Sequence, residues 1–188
     1  MKRKILLPAI LFTVMLGTSF VTNAQSRSEL VTPFRKGSVT ANLGVGFGTN
    51  YHNSQNAFGT KAALEFGAFK AGPGVISLGA EVGATFSNKN GNFNYNDYRS
   101  RSIIVAGRSA WHYGWKVSRL DTYAGVSAGA AFRHYDYNYG VHRNIDDVVP
   151  VFGGFIGASY FFTPGFGVNV EAGQDITNLQ AGVVFKLR

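Results

Sequence analysis

Val75-Ile76-Ser77-Leu78-Gly79-Ala80-Glu81-Val82-Gly83-Ala84-Thr85-Phe86 sets an apolar side chain on every second position. Ile76, Leu78, Ala80, Val82, Ala84 and Phe86 fall on one face of a strand; Ser77, Gly79, Glu81, Gly83 and Thr85 fall on the other. Ala71-Gly72-Pro73-Gly74 just before it is a turn signal, and a long stretch rich in Asn and aromatics follows it. A period of two with turns at both ends is a half-buried β-strand. The apolar set is large and the opposite set is small or charged, so the pattern fits a strand with lipid on one side and a polar interior on the other.

Working outward, the same alternation recurs. Strands are predicted over roughly 37–48, 58–69, 75–86, 102–114, 121–133, 150–162, 166–174 and 177–187. In the first, Val39, Ala41, Leu43, Val45 and Phe47 face out; in the last, Leu179, Ala181, Val183, Phe185 and Leu187 do. Eight is an even number, and the connections alternate between long polar stretches and tight turns such as Thr163-Pro164-Gly165, the habit of single-chain bacterial outer-membrane barrels. The predicted fold is therefore all-β, an eight-stranded antiparallel up-and-down transmembrane β-barrel with both termini on the periplasmic side. In lipid an unpaired backbone group costs several kcal/mol, which only a closed sheet avoids. A soluble β-sandwich is the competing reading; the connection lengths and the N-terminus weigh against it. Aromatics collect near strand ends (Phe47, Phe58, Phe86, Trp111, Tyr113, Trp115, Phe132, Tyr160, Phe162, Phe166, Phe185), as interface girdles do.

Met1-Lys2-Arg3-Lys4, the apolar run Ile5 to Gly17 and small residues ending Asn23-Ala24-Gln25 read as a secretory signal peptide, residues 1–24, cut after Ala24. The run is too short for a helical span, which takes about 20 residues. Residues 25–36 lack periodicity and are expected to form a short periplasmic N-terminal tail; the barrel occupies 37–188. The 188 residues contain no Cys, which excludes a lipidated cysteine and a disulfide framework. Net charge is +8 and the pI about 9.8. The basic residues are scattered and the chain is exported, so anionic lipid headgroups or lipopolysaccharide are expected partners, and nucleic acid is not. Mean hydropathy is −0.00; a barrel hides its membrane signal by using every second residue.

An interior of eight strands holds its own side chains or one small ligand. The charges predicted to point inward are Lys61, Glu65, Glu81, Arg108, Asp121, Arg133, Glu171 and Lys186. Buried ions must pair, and Glu65, Glu81 and Arg108 on consecutive strands are expected to form one network with Asp121, Arg133 and Glu171. The plain reading is a structural set of salt bridges; a narrow ion path or gate is the sharper one. His134-Tyr135-Asp136 and His142-Arg143-Asn144-Ile145-Asp146-Asp147 share one predicted outer loop, His134 to Val149, where His with Asp can activate water or bind a metal. Solvated loop residues are the default there. No Gly-x-Ser-x-Gly, His-Glu-x-x-His, phosphate loop or His-x-Ser occurs. No catalytic, cofactor-binding or metal residue is therefore assigned and no cofactor is expected. Asn88 to Arg99 interleaves Asn with aromatics, which suits a surface that stacks on a sugar or a partner protein.

The mature chain resembles the small eight-stranded outer-membrane barrels of the OmpX/OmpA transmembrane-domain type, and Asn23-Ala24-Gln25 with the strand style resembles the outer-membrane barrels of Bacteroidetes. The resemblance implies insertion by the barrel-assembly machinery into the bacterial outer membrane. The terminal aromatic of that family is set back here: Phe185 is followed by Lys186-Leu187-Arg188. No peptidoglycan-binding domain follows the last strand, so the tethering role of OmpA-like proteins is not implied. The function expected is structural or surface-interacting, through extracellular loops, without enzymatic activity. The alternatives are a narrow channel or small-ligand carrier, and a lipid-modifying enzyme or protease.

Overall fold

The computed structural model describes residues 33–49, 57–89, 98–139 and 141–188. The sequence predictions for 1–32 therefore lie outside the described residues, the signal peptide among them, as do 90–97 of the Asn-rich stretch. Eight strands run in chain order: β1 Val39–Phe47, β2 Ala57–Ala71, β3 Gly74–Lys89, β4 Tyr98–Tyr113, β5 Leu120–Tyr139, β6 Val141–Thr163, β7 Phe166–Gly173 and β8 Leu179–Lys186. Each pairs antiparallel with the next, and β1 pairs with β8, so the sheet closes into an up-and-down barrel.

The barrel is inside-out relative to a water-soluble domain. Phe152 is 76% exposed, Phe47 65% and Val126 63%, while Glu65 is 1% exposed and Arg108 3%. Large apolar side chains stand outward on every strand, as Leu43, Leu64, Val82, Val105, Val126, Ile156, Val170 and Leu179 do. Such a belt is stable only against hydrocarbon, which makes this a transmembrane β-barrel.

The ladder is staggered. From Phe47 it leads through Phe58, Phe86, Arg101 and His134 to Asp146 on β6. In the other direction it leads through Leu179 and Ala172 to Ile156 on the same strand. That offset is the shear that tilts strands against the barrel axis. Bulges interrupt it between Gly67 and Phe69 and between Phe161 and Thr163. The end of the barrel carrying the start of β1, the end of β8 and the β2–β3, β4–β5 and β6–β7 turns is called the terminal end here, and the opposite one the far end.

The wall is uneven. β1, β7 and β8 have 9, 8 and 8 residues, whereas β5 has 20 and β6 has 23. The stretch His134 to Val149, expected as a loop, is instead ladder, from His134↔Asp146 to Tyr139↔Val141. The apolar alternation is absent there, since both alternating sets carry polar or charged residues, but Tyr, Ile and Val keep their β preference and the pairing continues. β6 meets β7 only from Phe155 onward. Pro150, which lacks a backbone donor, stands in the part of β6 that pairs with β5 alone, where a proline is tolerated.

Two segments outside the strands enter the lumen. The end of the expected tail folds into the mouth at the terminal end. Gly37 N donates to Gly67 O at 2.8 Å, Gly67 N to Ser38 O at 2.9 Å, and Lys186 Nζ to Pro33 O at 2.7 Å. Gly37 takes φ +86, a conformation open to glycine, and Phe34 is buried. At the far end the β7–β8 connection dips inward, burying Asp175, Ile176 and Thr177.

Candidate functional site

The lumen is built from alternate residues of the strands, so its content follows from the period of two. β2 contributes Lys61 and Glu65, β3 Ser77 and Glu81, β4 Arg108 and His112, β5 Asp121 and Tyr123, and β7 Glu171; all are buried.

Arg108 is the hub. Its Nε lies 2.7 Å from Glu65 Oε1, an ionic contact without hydrogen-bond alignment, since neither atom has a hydrogen-bond partner. Its terminal nitrogens donate to Glu81 Oε2 and Glu171 Oε2, each at 2.9 Å. The guanidinium carbon sits 4.1 Å from the Phe155 ring centroid, where a planar cation is favoured. Lys61 Nζ donates to Glu171 Oε1 and, at 2.6 Å, to Asp175 Oδ2, with Glu81 at 3.8 Å. Tyr123 OH donates to Glu171 Oε2 at 3.0 Å. Glu171 thus receives contacts from Lys61, Arg108 and Tyr123, and the guanidinium of Arg108 is the one cation shared by three buried carboxylates, Glu65, Glu81 and Glu171.

Toward the terminal end the network continues through His112, whose Nδ1 is 2.8 Å from Asp121 Oδ2 and whose Nε2 is 2.9 Å from Glu65 Oε2. Ser77 Oγ lies 3.1 Å from His112 Nε2 and donates to Glu65 Oε2 at 3.0 Å. Ser77, His112 and Asp121 therefore share the spacing of a hydrolytic triad. The chemistry does not follow from the spacing. Both imidazole nitrogens face carboxylate oxygens, the setting in which each donates, and a ring donating twice has no lone pair to take a serine proton. Ser77 is wholly buried, and its hydroxyl also meets Ala110 N and O. Phe34 stacks on the imidazole at 3.8 Å between centroids and 17° between planes, closing the approach from the terminal end.

At the far end Ile176 packs with Ile104, Ala131 and Val151, a dry plug beyond the ion pairs. The lumen is thus filled from Phe34 to Ile176.

Of the residues named from sequence, Glu65, Glu81, Arg108 and Glu171 come together around one guanidinium, and Asp121 joins them through His112. Arg133 lies apart, half-buried on β5, with Ser102 and Asp147 as its register partners. Lys186 reaches the N-terminal segment and sits near the mouth. His134 stands opposite Asp146 and Arg101 on the ladder; the side chains of Asp136, His142 and Asp146 lie outside the described residues. Sequence reasoning missed Asp175, Ile176 and Phe34, which belong to no strand, and the pairing role of His112. It also missed Ile104, whose signal was available: Ile103-Ile104-Val105 breaks the alternation and announces an apolar layer on the inner face.

No family model matches the chain, and no curated protein matches it. Among solved structures it is similar to Ail, the attachment invasion locus protein of Yersinia pestis, at 10% identity over 80% of this chain and 95% of that one, with a TM-score of 0.47. The same protein in complex with the heparin analogue sucrose octasulfate is similar at 9% identity over 79% and 93%, with a TM-score of 0.47. A de novo designed transmembrane β-barrel is similar at 20% identity over 82% and 98%, with a TM-score of 0.44.

Proposed function

We propose that this chain is an integral protein of a bacterial outer membrane, exported by a cleaved signal peptide over residues 1–24, inserted by the barrel-assembly machinery and seated among phospholipid and lipopolysaccharide. Its lumen is a closed brace, and its working surface is the far end of β4, β5 and β6. The observation that carries the reading is the unequal wall: β5 and β6 run 20 and 23 residues, whereas a tilted strand crosses the hydrocarbon in about 9–11. The surplus forms a paired ribbon rooted in the membrane and standing in water, with Tyr98, Tyr137 and Arg143 in one register row. Tyr and Arg dominate recognition surfaces because they offer large contact area with a polar handle. The ribbon supports a structural or surface-interaction role, with no enzymatic activity expected. The channel reading finds no support in a lumen filled by ion pairs between two apolar plugs.

The native chain has no Cys, so single cysteines report topology. A membrane-impermeant maleimide is expected to label Asn138→Cys on intact cells, and Lys70→Cys only after the outer membrane is permeabilised. Labelling of both, or the reverse order, overturns the orientation. Cells carrying the full chain are expected to adhere to protein- or glycan-coated surfaces, and cells whose 135–146 is replaced by a tight turn are not. Equal adhesion removes the ribbon from the function.

A further inference from the structure

The terminal end is strongly basic. Arg35, Lys36, Lys70, Lys116, Arg119 and Arg188 are exposed there, and Lys186 is half-buried beside them. Among the described residues no acidic side chain is exposed at this end: Asp121 is buried against His112, and the remaining described acids lie in the lumen or on the far ribbon. Arg35, Lys36, Lys70 and Arg188 line one cleft of about 740 Å³, floored by Gly72, Pro73 and Gly74. We propose that this cleft is a docking site for the phosphate headgroup of an anionic phospholipid in the leaflet at the terminal end.

Depth selects a lipid over a free polyanion. A chain of outward rings marks the membrane boundary at this end. Trp111 stacks with Tyr113 at 5.5 Å, Tyr113 meets Trp115 at 4.8 Å, and Phe162, Phe166 and Phe185 continue the belt at 6.4 and 5.4 Å. Aromatic belts sit at headgroup level. The cations come one residue past the apolar surface: Lys70 follows Phe69, Lys116 follows Trp115 and Arg188 follows Leu187, and Phe69, Trp115 and Leu187 are all exposed. They therefore stand in the phosphate layer. A headgroup held there by its own acyl chains loses less freedom on binding than an anion from solution. Trp111 borders the cleft, donating Nε1–H to Ala71 O at 3.1 Å.

Both tryptophans of the chain, Trp111 and Trp115, lie at this end, so tryptophan fluorescence, excited selectively over tyrosine, reports on it alone. The full chain is refolded into phosphatidylcholine vesicles containing a minor fraction of phosphatidylglycerol. Acyl-chain bromine is carried either by the phosphatidylglycerol or by an equal molar amount of phosphatidylcholine. The inference rests on the chain spanning the bilayer, which the gel-mobility shift on boiling checks in the same samples. Expected is at least about twofold stronger quenching from the brominated phosphatidylglycerol, lost at molar salt because exposed charges are screened. The variant Arg35→Gln/Lys70→Gln/Arg188→Gln is expected to lose the preference and keep the mobility shift, while Lys116→Gln/Arg119→Gln retains most of it. Equal quenching by the two lipids overturns the proposal and leaves the barrel intact. A preference that survives the cleft variant overturns the assignment to this cleft. Absence of the mobility shift overturns the membrane reading itself.

Discussion

The middle of the lumen and its two ends are closed by different physics. In the middle, Arg108 and Lys61 are locked among Glu65, Glu81, Glu171 and Asp175, every partner but Asp175 coming from the wall of the barrel. At the ends single apolar side chains arrive from outside the wall: Phe34 from the N-terminal segment onto His112, Ile176 from the β7–β8 connection onto Ile104, Ala131 and Val151. Ion pairs away from water are costly unless geometry is satisfied on every side, so the middle tolerates little change. Apolar seals gain by area and lose in proportion to what is removed. The lesson is that the rigid wall supplies the directional contacts and the pliable connections supply the non-directional ones.

The largest effect is expected from breaking the middle. Arg108→Met leaves Glu65, Glu81 and Glu171 facing one another without their shared cation, and should cost about 3–5 kcal/mol. Urea unfolding of the barrel in vesicles measures it. Adding Glu65→Gln and Glu81→Gln should restore part of the loss; a single variant as stable as the parent would mean that the pairs hold nothing. On the lipid side of the same level, Val126→Arg should cost about 2–4 kcal/mol in the same assay. A smaller figure would place Val126 away from the bilayer centre.

The ends come next. Ile176→Ala should cost about 2–3 kcal/mol through the cavity it leaves. Phe34→Ala should cost about 1–2 kcal/mol, less than a core Phe, because its segment is held by few bonds and can relax. If Phe34→Ala equals Ile176→Ala, the N-terminal segment is as much a part of the barrel as the β7–β8 connection. The smallest effect is expected from removing both apolar seals at once. The double variant Phe34→Ala/Ile176→Ala should still show no conductance steps in planar bilayers, because the middle remains closed. Steps in that variant would make the ends the seal.

How much of this was legible in the sequence depended on where the solvent changes. Ile76 to Phe86 could be assigned because lipid on one face and lumen on the other force alternation. His134 to Val149 could not, because both alternating sets of residues there carry polar or charged side chains. Glu65, Glu81, Arg108, Asp121 and Glu171 were named as inward from parity alone, since each is an even number of residues from an inward neighbour. Their mutual distances were not legible. Whether Arg108 meets Glu171, three strands away around the ring, depends on the stagger, and β-bulges at Gly67/Phe69 and Phe161/Thr163 that no local signal announces adjust it. Arg133 has the right parity and lies too far along the barrel to join that cluster.

The period of two, the number of strands, their order and the face of each residue in the alternating runs are written in the sequence, because these follow from local backbone geometry and a one-residue slip would turn every apolar side chain inward. What fills the barrel depends on how the ring closes. Closure and shear bring Lys61, Arg108 and Glu171 within bonding distance across the lumen. The space left at the two mouths draws in Phe34 and Ile176, residues without a period to read. Alternation states which way a side chain points; which partner it meets is set by the diameter and stagger of the closed ring, quantities no single segment contains.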